Sequence, residues 1–252
     1  MHGQIASLYR YPVKGFTPER LGRVKLREGE YFPVDRLYAV ENGPSGFDPA
    51  APAFVSKTKF TVLARMAEVA RVRTGYDEAT TRFAVSGDGH TDLTADLSSE
   101  AGRTALAAWL TAFLGEAATG PLKVVSAPPH RFTDHILGHV SIINLASLRD
   151  LGQRMAVLID PLRFRANLYI EGWPAWAELD LGAGTPVTLG GASLSVFKPI
   201  TRCIATHVDP ASGVRDLEIV EALHTHYGHL HCGLYLHVTG GGIVKEGDGA
   251  TA

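Results

Sequence analysis

The chain of 252 residues holds two cysteines, and one of them, Cys203, lies in the run Thr201-Arg202-Cys203-Ile204-Ala205-Thr206. A thiolate, rather than a thiol, bonds a soft metal or attacks sulfur, and a guanidinium within a few ångströms lowers a thiol pKa. Arg202 stands next in sequence, and Lys198-Pro199 just upstream reads as a strand ending in a turn, where loops expose reactive groups. Neighbours on an extended strand face opposite ways, so Arg202 has a second option, which is to contact a ligand from the other side of the turn. The plain alternative for Cys203 is a small buried core thiol. Cys232 runs into Gly-Leu-Tyr-Leu-His-Val and reads as the start of a core strand.

A second group of chemistry-bearing residues is Arg163-Phe164-Arg165-Ala166-Asn167. Two arginines spaced by one residue on a strand share a face. That spacing commonly marks a solvated face; here the intervening Phe164 and the apolar run Leu168-Tyr169-Ile170 favour a site. Lysine and arginine total 24 against 26 aspartates and glutamates, a formal charge of -2, so no global field attracts nucleic acid or an anionic membrane. Any anion site must be built locally, and Lys14, Arg36, Arg163 and Arg165 are the cations available for it.

Of eleven histidines, His224, His226, His229 and His231 fall within eight residues. Imidazoles at such spacing invite zinc, yet no acidic residue or thiol recurs at finger or zincin spacing apart from Cys232, so no structural metal is expected. Asp209-Pro210-Ala211-Ser212-Gly213 is a turn by composition.

The elements that must position these residues read as mixed and mainly β. Strands are expected at Ile5 to Tyr11, Gly22 to Leu26, Arg36 to Glu41, Val69 to Thr74 and Thr81 to Val85, then at Phe164 to Ile170, Pro186 to Leu189, Ser193 to Val196 and Gly233 to Val238. Helical spacing of Leu106, Trp109, Leu110, Phe113 and Leu114 behind Ser98-Ser99-Glu100 marks one amphipathic helix, with others at Asn144 to Met155 and Leu217 to Tyr227. The loop from Ser126 to Gly138, with two prolines and two histidines, is the expected boundary between halves. With 45% hydrophobic residues the chain can bury a core without staples. Two cysteines are too few for a disulfide framework, and no apolar run approaches the ~20 residues needed to span a bilayer. A soluble, cytoplasmic protein is expected, without membrane or nucleic-acid partners.

Across nearly its whole length the sequence resembles the MOSC family, named for the C-terminal domain of molybdenum cofactor sulfurase. The resemblance rests on Leu8-Tyr9-Arg10-Tyr11-Pro12-Val13-Lys14-Gly15 in the first half. In the second it rests on Val140-Ser141-Ile142-Ile143-Asn144-Leu145-Ala146-Ser147, Arg163 to Asn167, Arg202-Cys203 and Cys232-Gly233-Leu234-Tyr235. It implies an α+β, strand-rich fold in which an N-terminal β-barrel-like domain over residues 1–120 packs on a MOSC β-barrel over 121–252, with helices at the flanks and a cofactor between them. It also implies the molybdenum cofactor (Mo-molybdopterin), ligated at the metal by Cys203. Lys14, Arg36, Ser141, Ser147, Arg163, Arg165, Asn167 and Arg202 would hold the pterin or its phosphate, with Gly15 standing where relatives carry a serine. Cys203, His139 and Asp209 would take the catalytic roles, His139 as proton source, and Thr206 and Asp209 would border the metal. By similarity to the amidoxime-reducing members, the expected reaction removes oxygen from small N-hydroxylated compounds, with electrons from a separate ferredoxin- or flavoprotein-type donor. The rival expectation is a non-redox carrier of cofactor or sulfur that uses Cys203 for a persulfide or a transient metal bond.

Overall fold

The computed structural model describes residues 1–252 apart from Ile136 and Gly138, so the last part of the expected boundary loop lies outside the described residues. The first half supplies strands β1 (His2–Arg10), β2 (Glu19–Leu21), β3 (Arg23–Leu26), β4 (Ala39–Asn42), β5 (Arg73–Asp77), β6 (Arg82–Gly87), β7 (His90–Asp96) and β8 (Leu122–Val125), and helix α1 (Glu100–Leu114). The second supplies β9 (Val140–Asn144), β10 (Leu168–Glu171), β11 (Pro186–Leu189), β12 (Ala192–Thr201), β13 (His231–Gly240), β14 (Gly242–Lys245) and β15 (Gly249–Thr251), with α2 (Leu145–Met155) and α3 (Ile219–Tyr227).

Seven strands in the order β10-β9-β13-β12-β11-β15-β1 close on themselves through β1 against β10, where Ile5 faces Ile170 and Leu8 faces Leu168. Only the β9–β10 pair is parallel within this ring. Closure removes the sheet edges that would otherwise expose unpaired backbone groups. Alternation along the strands does the filling: Leu194 and Val196 on β12, Leu234, Leu236 and Val238 on β13, and Val140 and Ile142 on β9 are all buried in one cluster with Ile5 and Leu8. β1 therefore serves as a stave of a barrel made otherwise from residues after 140.

The rest of the first half is an antiparallel meander β5-β6-β7, a β4–β8 ribbon and α1. Leu106, Leu110 and Leu114 of α1 bury a stripe against Phe83, Val85 and Leu97, and Ser99 caps the helix by accepting from the Gly102 N–H. α2 starts on Asn144, whose side chain accepts from the Ala146 N–H, and α3 buries Ile219 and Leu223. No helix among the described residues is long and apolar enough to cross a membrane.

The strand-rich α+β class is as the resemblance implied, and all three helices fall where they were expected. Two expected strands are displaced. Ala67–Arg71 is a 3-10 turn that precedes β5, and Pro161–Phe164 is another, capped by Asp160 accepting from Leu162 N–H and followed by Arg165 at φ 53°. Proline in the first turn after an aspartate is a helix-start signal, and it overrides the aromatic and β-branched content that follows. Arg163 and Arg165 thus do not share a strand face, and β10 begins only at Leu168. Arg36 likewise precedes its strand, at φ 47°.

Candidate active site

The pleat of the barrel builds one wall of a cleft. While Ile142 and Leu234 point inward, the cross-strand row of Lys198, Tyr235 and Ser141 faces out, Lys198 opposite Tyr235 and Tyr235 opposite Ser141. Against this row the first half sets Lys14, Gly15, Asp35, Arg36, Lys57 and Leu63, enclosing about 270 Å³. Seven basic side chains line the cleft (Lys14, Arg36, Lys57, Arg163, Arg165, Lys198 and Arg202) against two acidic ones, Asp35 and Asp134. In a chain of formal charge -2 that concentration marks the cleft as an anion site.

Cys203 sits at the end of β12, where the chain leaves the sheet for a 3-10 turn over Ile204–His207. Thr206 closes that turn, its N–H and Oγ1 donating to the Cys203 carbonyl at 3.0 and 2.9 Å, so the thiol is partly exposed to the cleft. The cation beside it is not Arg202. Nζ of Lys57 lies 3.2 Å from Sγ, whereas the Arg202 guanidinium donates from Nε to the Cys232 carbonyl at 2.8 Å and from Nη1 to the Phe164 carbonyl at 2.8 Å. Arg202 therefore ties β13 to the turn before β10, with its charge directed at backbone. Lys57 also reaches Asp134 at 3.3 Å, and Asp134 in turn pairs with Lys14, which donates to the Phe132 carbonyl at 2.8 Å. Burial would raise the Asp134 carboxyl, but Lys14 and Lys57 outweigh it and hold the group well below the usual carboxylate range. Burial lowers the Lys14 ammonium despite that partner. Burial also works against the Lys57 charge, but Asp134 and Cys203 prevail and raise its pKa.

At the other side of the cleft, Arg36 pairs with Asp35 and donates to the Arg165 carbonyl at 2.8 Å, while Asp35 accepts from the Tyr11 N–H at 2.8 Å. Both guanidiniums lie over the Tyr11 ring, 4.4 Å from its centre for Arg36 and 4.3 Å for Arg165. Arg165 is paired with no carboxylate among the described residues, and its Nη2 is buried without a hydrogen-bond partner. Burial, with Arg36 adding, pushes this guanidinium down to about 10. Gly15 has φ 91°, and a Cβ there would stand 2.2 Å from the Thr61 carbonyl oxygen, so only glycine fits where relatives were expected to carry serine.

Of the residues singled out in the sequence, Lys14, Arg36, Ser141, Arg163, Arg165, Asn167, Arg202, Cys203 and Thr206 line this one cleft. Ser141 and Asn167 are bonded to each other, Ser141 Oγ to Asn167 Oδ1 at 2.9 Å. The charge of Arg163 is answered by Asp216 at 2.7 Å and Asp209 at 3.4 Å. Three expected site residues lie elsewhere. Ser147 is fully buried and donates to Glu178 at 2.8 Å, because the third position of α2 turns into the core. Asp209 accepts from the N–H groups of Ala211 and Ser212, as the turn it opens requires. His139 packs its ring 5.0 Å from His237 and 5.2 Å from Tyr31, outside the cleft lining. Sequence reasoning missed Lys57, Asp134, His135, Lys198 and Tyr235. Tyr235 carried a signal, since it alternates with the buried Leu234 and Leu236, whereas Lys198 shares the parity of Val196 and Ile200 and reaches the outer face only through the register shift between Val196 and Lys198. Lys57 and Asp134 carried none, since they reach the cleft from a short 3-10 turn and a loop far away in sequence.

A partly exposed thiol and an orphaned buried guanidinium in one cationic cleft fit a ligand that joins a thiophilic metal to an anionic group. Residues 129–251 match the model of the MOSC domain, and residues 2–119 that of the MOSC N-terminal beta barrel domain. Mitochondrial amidoxime-reducing component 1 of Mus musculus is 30% identical over 119 residues, covering 42% of this chain and 34% of its own length. The Homo sapiens protein of the same name is 27% identical over 175 residues, covering 57% of this chain and 50% of its own. The chain thus spans a third to a half of the curated relatives it matches. Among solved structures, the YUAD protein from Bacillus subtilis aligns over 99% of this chain and 94% of its own, with TM-score 0.48 and 13% identity. YiiM from Geobacillus stearothermophilus aligns over 45% and 53%, with TM-score 0.36 and 18% identity.

Proposed function

Starting from a chain that belongs to the MOSC family in both halves, we propose that the cleft holds the molybdenum cofactor and that the loaded protein reduces N-hydroxylated compounds. The observation that carries this reading is the pairing, within one cleft, of the Cys203 thiol with the unpartnered Nη2 of Arg165. Cys203 would ligate the metal. Arg165 and Arg36, with the Gly15 N–H, would take the phosphate, and Ser141 and Asn167 would meet the pterin edge. Asp134 holds Lys14 and Lys57 in place at the cleft wall. The cofactor, when bound, supplies the two-electron redox chemistry.

The overall change consumes two electrons and two protons: the N–O bond of the substrate breaks, one proton joins the nitrogen, and the other leaves with the hydroxyl as water. The electrons would come from a separate donor protein of ferredoxin or flavoprotein type. The chain's own part is to fix the thiol through the Thr206 bonds to the Cys203 carbonyl, to keep Lys57 beside it, and to bury the anionic end.

The test compares wild type with Cys203→Ser, both expressed in a cofactor-competent host, for molybdenum and pterin content and for benzamidoxime turnover with reduced viologen. Cys203→Ser is expected to keep its melting temperature and lose turnover. Full activity in that variant overturns the reading, and cofactor transfer from wild type to an apo-molybdoenzyme without turnover replaces it with the carrier.

A further inference from the structure

We infer that the solvent side of the cleft selects a substrate bearing a negative charge, bound by Lys198 and His135; this deepens the reductase reading above and rests on it. Every other cation of the cleft is spoken for. Lys14 and Lys57 share Asp134, Arg36 has Asp35, Arg163 has Asp209 and Asp216, and Arg202 is turned onto two carbonyls. Among the described residues, Arg165 and Lys198 are the two left with neither a carboxylate nor a full set of backbone partners. Arg165 has its Nη2 buried without a partner and suits a group that stays, whereas Lys198 is partly exposed at the wall and meets what arrives from water. Lys198 makes no hydrogen bond or ion pair among the described residues, and its Nζ lies 5.5 Å from the centre of the Phe197 ring.

His135 packs on that same ring at 4.9 Å and lines the same cleft. Its Nδ1 accepts from the Leu137 N–H at 3.2 Å, which places the proton of the neutral ring on Nε2. Burial, reinforced by Lys198 and then His237, lowers the His135 pKa, so the ring stays uncharged near neutrality and offers one directed donor. An ammonium and an N–H donor that line the same cleft beside Phe197 offer an incoming carboxylate a charge and a directed donor. Asp134, the nearest acid of the cleft, is occupied by two lysines and leaves the Lys198 charge uncancelled. A cationic substrate would meet Lys198 and Lys57 together and be repelled.

The experiment titrates purified protein, calorimetrically and at low ionic strength, with benzamidoxime and with 4-carboxybenzamidoxime. Wild type is compared with Lys198→Met and Lys198→Glu, and viologen-driven turnover of both compounds is followed in parallel. Wild type should bind the carboxylated compound about tenfold more tightly, as one partly desolvated charge pair allows. The preference should collapse at high salt and in Lys198→Met, and Lys198→Glu should favour an amidino-substituted analogue instead. Equal binding of the two compounds by wild type, or a preference that survives in Lys198→Met, overturns the inference. A preference without turnover of either compound supports the anion subsite while refuting the reductase reading. Equal kcat/KM for both compounds does the reverse.

Discussion

Arg165 is the residue at which stability and binding should pull apart. Its guanidinium is buried, has Nη2 unpartnered, and is pushed down to about 10 from an ordinary 12.5. At ~1.4 kcal/mol per pKa unit, keeping it protonated in the fold costs about 3 kcal/mol. The sign follows from the direction. A cation whose folded pKa is depressed carries its whole penalty at any pH below that value and is relieved only as pH rises towards 12.5. An assay at neutral pH therefore sees all of it. Contact with the Tyr11 ring at 4.3 Å returns about 1 kcal/mol. Arg165→Met, which keeps an apolar stem over the same ring, should thus stabilise the cofactor-free protein by about 1–2 kcal/mol, a rise of about 2–8 °C in melting temperature for a chain of this size. Binding should move the other way: loss of one charge-assisted hydrogen bond to phosphate weakens cofactor retention by roughly 10- to 150-fold. Scanning fluorimetry on cofactor-free protein and pterin content after desalting read the two effects separately. A variant that melts several degrees lower while cofactor-free, or one that retains cofactor as wild type does, would show that the unpaired guanidinium is not held for an anion.

Other outcomes follow from single groups. Glu178 is fully buried and accepts from Asn144 and Ser147, with no ion pair among the described residues, and burial raises its pKa against those two bonds. A raised folded pKa gives stability that is present below the unfolded value of ~4.3 and lost as pH rises. Urea midpoints should therefore favour Glu178→Gln over wild type increasingly from pH 4 to pH 8, and an unchanged difference across that range would refute it. Asp134→Asn leaves the buried Lys14 ammonium without a counter-charge, bonded only to neutral acceptors. With the aspartate side chain 46% exposed, the loss should be about 1–3 kcal/mol by urea denaturation, and none at all would mean that water serves Lys14 equally well. The histidines at 224 to 231 should leave the melting temperature unmoved by EDTA. His229 Nδ1 accepts from the His231 N–H, and no group of three metal-ligating side chains occurs among the described residues. A drop of several degrees that zinc restores would contradict this.

The strand alternation and helix stripes of the second half were legible because burial on one face is written directly into residue order: β11 begins and ends where its pattern does, and α2 begins on its asparagine cap. The site was legible wherever a residue's neighbours in sequence are also its neighbours in space, as with Cys203 and Thr206. It was illegible where a nearby residue turns its side chain away. Arg202 adjoins Cys203 along the chain, yet two carbonyls 30 and 38 positions distant take its guanidinium, and Lys57 arrives from 146 positions away to stand beside the thiol. The same cause misplaced Ser147, whose polar side chain serves a buried glutamate in the core of its own helix cap.

Why residues from the first half enter the cleft at all is answered by the closure of the barrel. β1 runs antiparallel to β10, so the chain leaving β1 and the chain entering β10 meet at one end: the Tyr9 N–H donates to the Asn167 carbonyl at 2.7 Å, and Asn167 Nδ2 reaches the Tyr9 carbonyl at 3.3 Å. The segment Tyr11 to Gly15 follows immediately on one side and Arg163 to Asn167 on the other, which brings Tyr11 and Arg165 together through barrel closure; Arg36 joins the stack through a loop closed by its N–H donating to the Tyr11 carbonyl at 2.7 Å. The Arg36 bond to the Arg165 carbonyl then fixes the turn in which Arg165 adopts its left-handed conformation. Such a conformation in a residue other than glycine costs on the order of 1 kcal/mol and persists where surrounding contacts determine it. The anion site is therefore a product of the last stave to close the barrel, and it depends on β1 more directly than on any strand of the second half's own sequence.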